Sequence, residues 1–299
     1  MKYKSIFNLC LLTTFLSVVL VSCDDWTEME IHDSQVNGPK EQNPEEYAAY
    51  TQNLRAYKAT KHAVVYARLD NAPEVSTSEK DFLRALPDSI DIVTMCNADR
   101  LSEYDQKDME LVREDYGTKV LYYIDCTVKD KLNTSITSAV EAVRTGIFDG
   151  ITLFSVSALD AATLKLLTDA LGQTQCMLVF EGTPSLLPEA QRSLFSYFVL
   201  DISEAADEYD IETAVLYATG YGNTAAGHLL LAVTPDGTLT DHSGVTRNAI
   251  AGAAHSALNM ETPLGGIGIY NISADYYDAD IIYKRTRGGI QILNPASTH

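Results

Sequence analysis

Phe148-Asp149-Gly150-Ile151-Thr152-Leu153-Phe154-Ser155-Val156 is the stretch whose reading decides the fold. It opens on a turn-forming Asp-Gly and climbs into an apolar, β-prone run. The residues before it, from Ile136 to Thr145, carry a helical pattern. A helix feeding a continuously apolar strand is the unit of a parallel sheet covered on both faces.

That unit recurs along the chain. Strands are expected over His62–Arg68, Ile90–Met95, Lys119–Cys126, Gly150–Val156, Cys176–Phe180, Tyr197–Ile202, His228–Val233 and Gly266–Tyr270. Helical patterns fall over Ser78–Leu86, Glu103–Tyr116, Ile136–Thr145, Ala158–Leu171, Pro188–Phe195, Ile211–Gly220 and Val245–Leu258, with caps at Ser102, Asp160 and Asp210. Eight β-then-α units make an α/β TIM barrel, with an open doubly wound sheet as the alternative. No Gly-x-Gly-x-x-Gly follows an early strand, which weakens a dinucleotide-binding version of the latter.

The N-terminus addresses location. Lys2 and Lys4 precede an apolar run, Ile6 to Val21, ending in Leu20-Val21-Ser22-Cys23. This is a secretory signal, too short and too weakly flanked for a bilayer span. Leu-Val-Ser-Cys resembles a bacterial lipobox, which implies lipidation at Cys23, and Asp24-Asp25 resembles the export signal of surface lipoproteins of Bacteroidota. Residues 1–22 are thus expected to be a signal peptide, 23–44 a polar lipid-anchored tether, and 45–299 one barrel domain. Trp26, the single tryptophan, falls in the tether. Asn43-Pro44-Glu45-Glu46 then opens a helix running towards Thr60.

The charge is −19, and removing residues 1–22 takes away Lys2 and Lys4 and no acid, giving −21. So acidic a chain, without a Lys/Arg cluster, is no nucleic-acid binder. Cys96, Cys126 and Cys176 remain after Cys10 and Cys23; they have no Cys-x-x-Cys spacing and are read as buried thiols, one Cys96–Cys126 bridge being conceivable. His32, His62, His228, His242, His255 and His299 are scattered, so no metal or cofactor is expected. No Gly-x-Ser-x-Gly elbow supports serine-hydrolase chemistry.

Taken with Ala142-Val143-Arg144-Thr145-Gly146-Ile147 before it, the opening stretch resembles the fourth barrel strand of glycoside hydrolase family 18, the chitinases and endo-β-N-acetylglucosaminidases. Tyr57-Lys58-Ala59-Thr60, Leu86-Pro87-Asp88-Ser89-Ile90-Asp91, Gly265-Gly266-Ile267-Gly268-Ile269-Tyr270-Asn271 and Ile290-Gln291-Ile292-Leu293-Asn294-Pro295 extend the resemblance over roughly residues 45–296. The family reads Asp-Gly-x-Asp-x-Asp-x-Glu. Here Asp149 survives, while Thr152 and Phe154 replace the next two acids and Val156 stands at the catalytic Glu. Valine donates no proton, and phenylalanine cannot steady an oxazolinium. The resemblance therefore implies a catalytically degenerate barrel.

Barrel sites sit where strands end. The residues expected there are Asp70, Asn71, Asn97, Asp125, Ser155, Glu181, Asp201, Tyr270 and Asn271, with Phe154 as a stacking surface. Tyr66 and Tyr122 are candidates for the same cavity or for the core. By resemblance the ligand is an N-acetylglucosamine-containing oligosaccharide such as an N-glycan, passed to an outer-membrane glycan-uptake transporter. Two other readings stay open: a glycosidase using a relocated carboxylate (Glu181, Asp201 or Asp125), and a structural subunit of the uptake complex. Facing carboxylates at the mouth favour the first, and a plugged mouth favours the second.

Overall fold

A computed structural model describes residues 38–72 and 76–295. The signal segment, Cys23, Trp26 and most of the tether lie outside the described residues. The chain divides into two units at Ala48–Ala49. The described part of the first holds a helical turn, Pro39–Gln42, and the start of helix α1, Pro44–Lys58. Everything below concerns the second.

Eight parallel strands close into a barrel: β1 (Val64–Leu69), β2 (Ile92–Met95), β3 (Lys119–Asp125), β4 (Gly150–Phe154), β5 (Met177–Glu181), β6 (Tyr197–Asp201), β7 (Leu229–Val233) and β10 (Gly266–Ile269). Each pairs with its neighbour in sequence, and β10 returns to β1 through Val64↔Gly266. A two-stranded hairpin, β8 (Thr238–Thr240) and β9 (Thr246–Asn248), lies between β7 and the next helix. The TIM barrel read from the repeating units is the observed fold.

Alternation sorts each strand into two faces. Val64, Tyr66, Ile92, Leu121, Val179, Val199, Leu230 and Ala232 fill the barrel interior. Their neighbours Val65, Ala67, Val93, Val120, Ile151, Leu178, Phe198 and Leu231 face the helical coat. Fully burying one such side chain contributes roughly 1.5–3 kcal/mol, so this double core dominates the stability. Gly150 lies hard against β5: a Cβ there would sit 2.0 Å from the Met177 carbonyl oxygen. The Gly of the opening Asp-Gly is demanded by that contact.

The coat consists of the part of α1 from Ala49 onward, α2 (Glu103–Glu114), α3 (Leu132–Arg144), α4 (Ala161–Leu171), the short α5 (Glu189–Arg192), α6 (Glu208–Gly220), α7 (Ala249–Asn259) and α8 (Lys284–Leu293). Ser102 caps α2 in a reciprocal box with Asp105, and Asp160 caps α4 through the Thr163 amide. The cap of α6 is Asp207; Asp210, expected in that role, sits inside the first turn and accepts from Ala206.

Four element readings need correcting. The helix expected over Ser78–Leu86 is two 3-10 turns broken by extended Phe82, whose ring packs under Arg84 instead of continuing the helix. The run Val245–Leu258 gives its first residues to β9, because Asp241 closes the hairpin by accepting from the amides of Ser243 and Val245. The run Pro188–Phe195 keeps one turn. Helix α8 was absent from the sequence reading because Gly288-Gly289 lowers helix propensity. Gly289 is there for packing, since a Cβ would meet Ile250 at 2.5 Å. Cys96, Cys126 and Cys176 are free thiols, which removes the conceivable Cys96–Cys126 bridge.

Candidate functional site at the barrel mouth

The strand stretch that decided the fold ends at Phe154 and reaches the mouth with no carboxylate. Thr152 is fully buried, and its hydroxyl meets that of Thr94 of β2 at 2.6 Å over the inner face of β3. A neutral hydroxyl pair thus occupies this inner level of β2 and β4. Phe154 is half-buried and stacks on Tyr123, with centroids 6.2 Å apart and planes 23° apart. Val156 lies beyond the strand and is 73% exposed. Ser155 between them is buried, its hydroxyl donating to the Ser157 carbonyl.

Asp149 belongs to the opposite end. Its carboxylate accepts from the Val120 amide and pairs with Arg113 at 3.0 Å and Lys119 at 3.5 Å. It ties the starts of β3 and β4 to α2. These contacts give Asp149 a folding role.

Below the mouth the interior is held by one ionic group. Glu181, at the end of β5, has no exposed surface. Tyr66 donates to its Oε1 at 2.6 Å, and Arg68 Nη1 donates to its Oε2 at 3.0 Å. Burial pushes the Glu181 carboxyl above the usual range, with the Arg68 charge and both hydrogen bonds pulling it back. Burial, then the nearby Glu181, also raises the Tyr66 hydroxyl. Arg68 lies over Tyr270, 4.0 Å from the ring centroid, and 6.0 Å from that of Tyr123.

Other carboxylates at the mouth serve their own loops. Asp125 accepts from the amide and hydroxyl of Thr127, and Asp201 from the Ser203 amide. Asp70 accepts from Asn97 Nδ2 at 2.9 Å. Asn71 is buried; it accepts from the Asn97 amide and donates to Asp105, so it clamps two loops instead of facing a ligand. Asn271 is exposed in the left-handed region at φ 48°, which asparagine tolerates, and starts the turn Ile272–Asp275. Tyr277 and Ser273 of the loop after β10 bond to Ser78 and to the Lys80 carbonyl, closing one side of the rim.

Of the expected site residues, Asp70, Asn97, Asp125, Phe154, Asp201 and Asn271 are brought to the mouth with surface to offer, and Tyr270 forms its floor beneath Arg68. Glu181 and Asn71 are placed out of a ligand's reach by burial. Tyr66 is interior packing, and Tyr122 faces the coat against Phe148. Arg68 and Tyr123 were missed. The available signal was a lone arginine in an otherwise apolar strand, Val64-Val65-Tyr66-Ala67-Arg68-Leu69. A cation set into a barrel strand needs an acid, though the sequence alone does not say which.

Cavities of other kinds lie elsewhere. One of about 960 Å³ opens at the N-terminal end of the barrel, lined by Val64, Ile92, Met177, Tyr197 and the His62–Asp91 pair. Another of about 570 Å³ lies between α2 and the starts of β3 and β4. The mouth is a floor of flat groups over a filled interior. Among the described residues, no group of His, Cys, Asp and Glu is arranged to hold a metal.

Residues 27–145 match the family model described as glycoside hydrolase family 18, BT1044-like. A search of curated proteins finds no match. Among solved structures, the chain is similar to a selenomethionine glutamate-to-glutamine variant of BT1044, with 18% identity and a TM-score of 0.70 over 86% of this chain and 95% of that one. It is also similar to the apo endo-β-N-acetylglucosaminidase of Cordyceps militaris, with 16% identity and a TM-score of 0.59 over 83% and 96% of the two chains. A doubly substituted form of the Cordyceps enzyme, in complex with fucosyl-N-acetylglucosamine-Asn, matches at 16% identity and a TM-score of 0.56 over the same shares. At these identities the structural likenesses show the fold.

Proposed function

We propose that this glycoside hydrolase family 18-like barrel binds an N-acetylglucosamine-containing oligosaccharide at its mouth and does not cleave it. The observation that carries the reading is the chemistry of β4. Thr152, Phe154 and Val156 offer a hydroxyl, a ring and an exposed aliphatic group where the family's route needs three carboxylates. Removing a general acid forfeits a factor of roughly 10²–10⁴. What remains is a surface suited to saccharides: ring faces for sugar C–H groups, with exposed Asp70, Asp201 and Asn271 and half-buried Asn97 as hydrogen-bonding partners.

The alternative of a relocated acid draws no support from Glu181. Burial raises its affinity for a proton, but it is fully buried and accepts from Tyr66 and Arg68 at its two oxygens. A general acid must touch the leaving oxygen. The ligand class is supported by the family match and by the glycan held in the related Cordyceps enzyme. With the lipobox-like Leu20-Val21-Ser22-Cys23, the reading becomes a lipid-anchored outer-membrane protein that presents glycan to a neighbouring transporter.

The test is calorimetric titration of residues 24–299 with N-glycans, alongside a product assay on the same mixtures. Heat without product supports the reading. Product formation overturns it in favour of an enzyme, and silence in both assays favours a structural subunit.

A further inference from the structure

We propose that Arg68 is the residue by which the mouth distinguishes N-acetylated from plain glucosyl oligosaccharides, donating to the amide carbonyl of a 2-acetamido group. The inference rests on the binding reading above and goes beyond it by assigning recognition to a residue outside the strand-four motif.

The geometry sets Arg68 in the middle of a row of flat groups. Phe154 stacks on Tyr123; the Arg68 guanidinium lies 6.0 Å from the Tyr123 ring and 4.0 Å above that of Tyr270. Glu181 holds one end of it from beneath. That one hydrogen bond, among the described residues, uses a single N–H of the five a guanidinium carries. The Arg68 side chain keeps 27% of its surface open while Glu181 has none, so the remaining donors are the polar groups of the floor that a ligand can meet. A stacked, ion-paired arginine is also pre-organised, and little rotamer entropy remains to be lost on binding.

Charge decides the kind of acceptor. Glu181 matches the Arg68 charge one for one, and Asp70, Asp125 and Asp201 are further acids at the same end of the barrel. A carboxylated or sulfated sugar meets net negative charge there. A neutral acceptor does not. The amide carbonyl is the neutral group of an N-acetylated sugar that a guanidinium serves and that a glucosyl unit lacks. Tyr123 and Phe154 supply ring faces indifferent to the substituent at that carbon.

The experiment titrates chitotetraose and cellotetraose, equal in length and linkage, into wild type, Arg68→Met, the double variant Arg68→Met/Glu181→Gln, and Phe154→Ala. Thermal melts check folding. The double variant removes both charges together and carries the test where Arg68→Met strands a buried carboxylate and fails to fold. Wild type is expected to prefer chitotetraose. Loss of Arg68 should weaken chitotetraose about ten- to one-hundred-fold, to the level of cellotetraose, the size expected for one hydrogen bond from a charged donor. Phe154→Ala should weaken both sugars alike. A folded Arg68 variant that keeps the wild-type preference overturns the proposal, as does a wild type that binds both sugars equally; in either case glycan binding stands. A wild type that binds neither sugar overturns this proposal, and the N-glycan titration decides separately whether that reading stands.

Discussion

Arg68 and Glu181 meet inside the barrel from strands on opposite sides, Nη1 to Oε2 at 3.0 Å, with Tyr66 donating to the other carboxylate oxygen. The acid is fully buried and the base partly so. Such a pair is costly to break one-sidedly, because the surviving charge stays in the protein without a partner. Glu181→Ala should therefore cost about 3–5 kcal/mol in chemical denaturation, and Glu181→Gln clearly less, since an amide still accepts from Tyr66 or Arg68. Equal losses from both variants would show that the charge, and not the volume or the hydrogen bonds a glutamine keeps, is what Glu181 supplies.

Gly150 allows no side chain. With the Met177 carbonyl oxygen 2.0 Å from the position of a Cβ, Gly150→Ala must push β4 away from β5. Overpacking of this kind costs about 1–3 kcal/mol, and more where the obstacle is backbone. A drop of that size in the urea midpoint is expected. An unchanged midpoint would mean that the two strands part without penalty.

The eight strands were legible because continuous apolar runs between helical patterns have few other uses, and Asp149-Gly150 marked the central one. The mouth was legible at the level of strand ends: Asp70, Asn97, Asp125, Asp201 and Asn271 are where the pattern placed them. Contacts between distant strands were not. Nothing local in Arg68 points to Glu181, 113 positions away, and nothing in Glu181 says that it is enclosed. Phe82 likewise broke a helical pattern for a tertiary reason, the edge-to-face contact of its ring with Tyr104, with Arg84 lying over its face.

Restoring one acid should not restore chemistry. Val156→Glu places a carboxyl on a residue 73% exposed, beside Phe154 and Thr152, which offer a 2-acetamido group no charge. Hydrolysis of chitotetraose or an N-glycan by this variant should stay at the wild-type level, and its melting point should move little, as for most surface changes. Product above that level would show that the route tolerates the loss of both inner acids.

The thiols should be slow to react. Burial pushes Cys96 and Cys126 up to about 12 and raises Cys176 as well. The reactive thiolate is then scarce at neutral pH. Native protein should label with a maleimide far more slowly than urea-unfolded protein, with Cys126, fully buried, slowest of the three. Rapid labelling of Cys126 in the native state would contradict its enclosure.

His62 gives the barrel a defined pH dependence. Its Nε2 lies 2.9 Å from Asp91 Oδ1 and its Nδ1 2.8 Å from the Thr60 carbonyl, so both ring nitrogens face acceptors and the imidazolium satisfies both. The hydrogen bond with Asp91 raises the His62 pKa above its ordinary value, against the opposing effect of burial. A histidine whose folded pKa exceeds its unfolded value of about 6.5 stabilises fully below that value. The contribution fades as pH rises through the folded pKa. The stability difference between wild type and His62→Ala should thus be larger near about pH 6 than near about pH 9. Denaturation of both proteins at the two pH values measures it, other titrating groups being common to the pair. A difference that grows with pH would mean that His62 is held neutral, with Asp91 serving the Val65 amide alone.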